Sequence, residues 1–256
     1  MACRLKAELC CSEFRALTLA GQVLYFHFVE NNVRRCAMSP CCSPLPTSGK
    51  TRSLFGGLMP NGVHWVCGLP MVTRQRQKIV PLASGDVVEI GFGSGLNLPH
   101  YDRSTVTSLI GINPDDGLPA LGQKAIAAHH LPATLLVESA EAMSLPSASA
   151  DSVVVTYSLC SIPDISSALA EIHRILRPHG RLFFCEHGRS PSRLVARLQD
   201  GLNAPWRFMA AGCHLNRDPG RLIAAAGFAL DRYDVYDLGV GTGIIGTHHL
   251  GIARKL

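Results

Sequence analysis

Two short apolar runs, Val153-Val-Val155 and Leu182-Phe-Phe184, constrain this chain more than any other feature. Neither alternates with polar residues, so each suits a strand covered on both faces, as in a parallel sheet flanked by helices. The surrounding pattern agrees. Strand candidates are Asp86–Ile90, Val106–Ile112, Ala133–Val137, Ser152–Tyr157 and Arg181–Glu186, and helices are predicted around Leu96–Tyr101, Leu118–His130, Ser166–Leu176 and Ser192–Ala211. Strands alternating with helices imply an α/β fold with a doubly wound, mostly parallel sheet. The last two strand candidates, near Ala229–Tyr236 and His249–Arg254, have no long helix between them. They are expected to form a hairpin at the sheet edge.

The domain is expected to span residues 53–256, because residues 1–52 read differently. Ala16–Val29 is apolar but interrupted by Gln22 and His27, and Glu8 and Glu13 dilute the basic start of a signal peptide. Ser39–Lys50 is a turn-rich linker. Three readings stay open for residues 1–52: a poorly ordered extension, a degenerate targeting segment, or sequence upstream of a start at Met38 or Met59. From Ser53 to Pro81 the pattern is helical, with an apolar face of Val63, Trp65, Val66, Leu69 and Val72. Arg74-Gln-Arg-Gln-Lys78 then reads as the solvated end of a helical cap. Contact of residues 63–78 with an anionic lipid surface, or closure over a ligand, is the alternative.

Composition excludes several classes. With 24 Lys and Arg against 19 Asp and Glu, the net charge of +5 makes no case for nucleic acid. No apolar stretch reaches the length of a membrane span. Six of the ten cysteines lie before residue 43, and Cys67, Cys160, Cys185 and Cys213 are widely spaced without a CxxC pair. Neither zinc-ligand spacing nor a small disulfide scaffold is present, so these are expected to be reduced thiols of a cytoplasmic protein. His129-His130 and His248-His249 are adjacent pairs, which rarely point together. No metal site is expected.

Sheets of this kind bind ligands beyond the carboxyl ends of their strands, where strand order reverses. The first strand runs into Val87-Val-Glu-Ile-Gly-Phe-Gly-Ser-Gly-Leu-Asn97, with glycines at 91, 93 and 95. A dinucleotide fingerprint places its third glycine at 96, which is Leu96 here, so a nicotinamide oxidoreductase is disfavoured. The GxGxG spacing with Glu89 instead resembles the first motif of class I S-adenosylmethionine-dependent methyltransferases. Further matching blocks follow in order: Ile110–Asp116, Glu138–Pro146, Ala150–Val155 and Ala168–Leu182. Tyr157–Asp164, Glu186–Gly188, Ala211–Asp218 and Gly95–Tyr101 are similar to the methyltransferase-like 7 branch, which includes thiol S-methyltransferases, and to its ubiquinone/menaquinone-type relatives. The resemblance covers about residues 60 to 256.

The resemblance implies a Rossmann-like fold, S-adenosylmethionine as cofactor, and methyl transfer to a small or lipid-like acceptor: a thiol, an amine or a phospholipid. It places Glu89, Gly91, Phe92, Gly93, Gly95 and Asn97 around the methionine part, and Asn113 and Pro114 at the ribose. Ala140 and Glu141 would border the adenine, and Ser158 is placed among the cofactor-binding residues. Asn113 stands where the family usually has an acid, losing a charged bidentate grip. On the acceptor side it points to Cys160, His187 and His214, with His187 as a candidate base or else a strand-end hydrogen-bonding residue. His214, Asn216 and Asp218 also fit a turn and capping network before a helix at Arg221. A methyltransferase-fold interaction module without turnover remains the alternative function.

Overall fold

The computed structural model describes residues 59–114, 118–129, 131–239 and 243–256, all within the unit Ser53–Leu256. The expectations for residues 1–52 lie outside them. Helices α1 (Met59–Cys67) and α2 (Pro70–Arg76) precede β1 (Gly85–Ile90), β2 (Val106–Ile112), α3 (Pro119–Ala128) and β3 (Ala133–Leu136). Then follow β4 (Ala150–Thr156), α4 (Ile165–Ile175), β5 (Leu176–His187), α5 (Arg193–Met209), α6 (Pro219–Ala225), β6 (Phe228–Asp237) and β7 (Thr247–Lys255).

The sheet order is β3-β2-β1-β4-β5-β7-β6. The first five strands pair in parallel, and β7 runs antiparallel to both β5 and β6. The hairpin therefore closes one edge with its second strand innermost. Strand order reverses between β1 and β4, so their carboxyl ends open the crevice of a doubly wound sheet.

Strand alternation sorts the core into two layers. Val88, Ile90, Val153, Val155, Leu182 and Phe184 pack with Ala168, Leu169, Ile172 and Ile175 of α4. Val87, Val154, Phe183 and Cys185 face the other way, against Ile79, Val80 and Leu98. The apolar runs are thus buried on both sides. Asp164 starts α4 by accepting from the backbone N–H groups of Ser166 and Ser167, each at 3.1 Å.

The structure departs from the sequence reading at four points. Leu96–Tyr101 is not a full helix but a single 3₁₀ turn, Leu98–His100. Pro99 lacks an N–H, and the Asn97 side chain is engaged elsewhere. β5 starts at Leu176, but its pairing with β4 jumps from Leu176 to Arg181, so Arg177–Gly180 bulges out with His179 at φ +68°. The basic segment before β1 is not wholly solvated, since Gln75 and Arg76 are buried. The expected apolar face of the cap is also partly turned outward, with Trp65 69% exposed.

Gly251 of β7 is a point of close approach. It pairs with Phe184 on one side and Tyr233 on the other, and those two rings meet at 6.2 Å between centroids. A Cβ at 251 would stand 2.5 Å from Phe184 Cζ and 2.6 Å from the Arg232 carbonyl oxygen. Gly251→Ala is expected to cost about 1–3 kcal/mol by overpacking. Urea denaturation should show that loss, and Phe184→Leu in the same chain should recover part of it. Strict additivity of the two changes would contradict the contact.

Candidate functional site

β1 ends in a turn that only glycine fits. Gly91 has φ +71°, and a Cβ there would collide with the Ser158 side chain, so the loop lies directly against the exit of β4. Gly93 has φ +55°, yet a Cβ there would meet only the Gly91 carbonyl at 3.7 Å and Leu118 Cδ1 at 3.8 Å. Its bare backbone borders a cleft of about 510 Å³.

Alternation along β1 turns Glu89 away from the α4 layer and toward α2. Its carboxylate accepts from Asn97 Nδ2 at 3.0 Å and from the Tyr101 hydroxyl at 2.7 Å. Asn97 Nδ2 also donates to Thr156 Oγ1 at 3.0 Å. Arg76 Nη1 donates to Asn97 Oδ1 at 2.9 Å and to Thr156 Oγ1, while its guanidinium lies 4.9 Å from the Tyr157 ring centroid. Burial pushes the Glu89 carboxyl up to about 7, although hydrogen bonds from Tyr101 and Asn97 and the charge of Arg76 pull the other way. Arg76 Nε is buried and finds no hydrogen-bond partner among the described residues.

The cleft brings together Glu89, Gly91, Phe92, Gly93, Asn113, Pro114, Ala140 and Ser158 from the expected set. Asn113 Oδ1 accepts from Gly93 N at 3.0 Å and its Nδ2 donates to the Pro114 carbonyl at 2.8 Å, so the amide pins the glycine loop to the end of β2. Ser158 N donates to Glu186 Oε1 at 2.7 Å, which fixes the β4 exit. Three expected residues do not line the cleft. Gly95 packs toward Ala125 and Leu98, Asn97 lies behind the wall in the buried network, and Glu141 accepts from Asp164 N at 2.6 Å.

On the expected acceptor side, Cys160, His187 and His214 also stand off the cleft lining. His187 is buried at the end of β5, with Cys213 Sγ 3.8 Å from Nδ1 and 3.9 Å from Nε2. His214 lies 3.5 Å from Asn203 Nδ2 through Nδ1. Asn216 Nδ2 donates to Asp200 at 2.9 Å, and Asp218 accepts from Arg221 N at 3.1 Å to start α6. Asp218 thus serves a cap, while His214 and Asn216 hold the loop after α5 against Asn203 and Asp200 of that helix.

Sequence reasoning missed several cleft residues: Arg76, Thr156 and Tyr157, and at the mouth His64 and Cys67 of α1, where His64 Nδ1 stands 2.6 Å from Ser94 Oγ. Arg76 looks no different in sequence from the exposed basic residues beside it. Tyr157 at φ +54° leaves a trace only in the backbone.

Residues 88–184 match the family model described as a methyltransferase domain. Rat thiol S-methyltransferase TMT1B is 32% identical over 145 residues, covering 56% of this chain and 59% of that protein. The ubiquinone/menaquinone biosynthesis C-methyltransferase UbiE of Geobacter sulfurreducens is 30% identical over 118 residues, covering 44% and 46%. The chain thus spans about three fifths of the thiol S-methyltransferase's length and under half of UbiE's. Among solved structures, a SAM-dependent methyltransferase from Methanosarcina mazei matches with TM-score 0.51 and 23% identity, over 73% of this chain and 98% of that one. Another, from Thermotoga maritima, matches with TM-score 0.59 and 19% identity, over 79% and 98%. These likenesses establish the fold.

Two expectations follow from the network. Arg76→Met leaves the Asn97 carbonyl oxygen buried without its donor and should cost about 1–3 kcal/mol in chemical denaturation. A variant as stable as the parent would refute the tie. Glu89 titrates from an ordinary 4.5 when unfolded to about 7 when folded. The folded chain therefore binds more protons in that window, and the contribution of Glu89 to stability falls as pH rises through it, then levels off. Melting curves from pH 4.5 to 8 should show the parent losing ground to Glu89→Gln over that range; parallel curves would contradict the shift.

Proposed function

We propose, on the premise that this chain carries a methyltransferase domain, that it is an S-adenosylmethionine-dependent methyltransferase acting on a small lipophilic acceptor, with a thiol as the first candidate. The observation that carries this is the cleft at the β1/β4 switch point, walled by the bare backbone of Gly93. Its residues fit the cofactor in kind. Ile112 and Ala140 offer apolar surface to an adenine, Asn113 offers an amide to the ribose, and the Gly91–Gly93 backbone borders the methionine part. Arg76 supports the fit independently: it lines the cleft, and its buried Nε, without a hydrogen-bond partner among the described residues, suits a carboxylate.

When bound, the cofactor supplies an electrophilic methyl on a sulfonium, and the chain supplies placement. Glu89 is held through Asn97 and Tyr101, so it orders the loop rather than taking a proton from the acceptor. Leu96, Leu118, Ile162 and Pro163 give the cleft apolar walls that exclude water and favour a lipophilic acceptor over a charged one. The thiol preference rests on the likeness to the thiol S-methyltransferases. Trp65 and Val66 of α1, more than half exposed beside the cleft residues His64 and Cys67, support an acceptor that arrives from an apolar phase.

Gly93→Leu tests the reading. The substitution has room at Cβ, so its backbone strain should cost about 1–2 kcal/mol and lower the melting temperature by only a few degrees. The added side chain fills the cleft. Transfer of labelled methyl from S-adenosylmethionine to an alkyl thiol should fall at least a hundredfold. Transfer that survives unchanged would place the cofactor elsewhere.

A further inference from the structure

Cys160, His187 and Cys213 come from three distant parts of the chain, yet one ligand atom of each lies within 4.8 Å of the other two. We propose that these residues form a binding site for a soft divalent cation of the zinc class, with two thiolates, one imidazole nitrogen and an open fourth position. The inference is independent of methyl transfer.

Geometry favours an ion over a chance meeting of side chains. With Zn–S near 2.3 Å and Zn–N near 2.0–2.1 Å, tetrahedral neighbours stand roughly 3.5–3.8 Å apart. Cys213 Sγ is 3.8 Å from His187 Nδ1 and 3.9 Å from Nε2, so seating an ion needs the imidazole to turn one nitrogen toward the sulfur, with inward shifts of about 1 Å. The framework is held in place. His187 closes β5, and His214 N donates to the Cys160 carbonyl at 2.8 Å, joining the two cysteine-bearing segments. Ala211 and Gly212, at φ +50° and +83°, shape the loop that presents Cys213. Cys160 and His187 are buried and Cys213 half-buried, so the ion would lose water to sulfur and nitrogen.

A second observation points the same way. The indole N–H of Trp206 is buried without a hydrogen-bond partner among the described residues. It lies beside the Cys213 thiol. Donors around a ligating sulfur are what a metal site needs in its surroundings. Any proton still on a ligating thiol leaves as the ion binds, and the ion would clamp the segment after β4, the end of β5 and the loop after α5. That loop carries Ala211, which lines the cleft.

The test uses the full chain, reduced and metal-free. Zn²⁺ is added, the chain is alkylated with iodoacetamide, and labelling is read at each cysteine by peptide mass spectrometry. This separates the site from the six cysteines before residue 43. Zn²⁺ should slow labelling of Cys160 and Cys213 at least tenfold and leave Cys67 unchanged. Co²⁺ should give the intense thiolate-to-metal absorption of a tetrahedral site. His187→Gln, checked for folding by circular dichroism, should abolish the protection; if it fails to fold, the parent footprint decides. Equal labelling with and without Zn²⁺ overturns the proposal, as does protection that survives in folded His187→Gln. Recovery of Cys160 and Cys213 as a disulfide from the reduced chain would also overturn it.

Discussion

The hydrogen-bonded cluster of Arg76, Glu89, Asn97, Tyr101 and Thr156 is the constraint on which the cleft depends. It joins α2, the end of β1, the glycine loop and the end of β4 through side chains that are all almost fully buried. Burying a carboxylate and a guanidinium together is costly unless their hydrogen bonds are made, and here most are. The cluster fixes the loop from below, while Asn113 fixes it from the β2 side through Gly93 N. With its N–H groups at 91, 92 and 93 held by Ile112 and Asn113, the loop meets the cleft along a fixed backbone. Fixed dipoles and a bare backbone suit a ligand that brings its own reactive group.

The opposite end of the cleft is built differently. Glu186 accepts from the N–H groups of Ser158 and Leu159 and so sets the turn after β4. Arg217 donates to the carbonyls of Leu159 and Ile162, tying the same turn to the segment after α5. This end of the cleft is thus assembled from three elements that meet only in the folded state. Its chemistry depends on loops, as expected where one fold serves many substrates.

The sheet was legible in the sequence because its strands are short apolar runs with no rival helical period. Val106–Ile112 has the same ends in both readings, and the terminal hairpin followed from the lack of a crossover helix. The glycine loop was legible because positive φ and close approach admit few other residues. What stayed hidden depends on tertiary placement. Arg76 is buried while Arg74, two residues earlier, is not, and nothing in their shared basic run separates them. Asn97 reads as a cleft residue from its position after the glycines, but the chain turns at Leu98 and folds its amide behind the wall. Cys160, His187 and Cys213 carry no short-range spacing, because sheet topology alone brings them together.

The proposal that the cleft beside Gly93 takes a sulfonium nucleoside is open to direct measurement. Calorimetric titration of the full chain with S-adenosylmethionine and S-adenosylhomocysteine, with NADH as control, tests it most directly. Saturable binding of one equivalent of each of the first two, and none of NADH, is expected. Binding of NADH alone, or of none of the three by a folded chain, would contradict it.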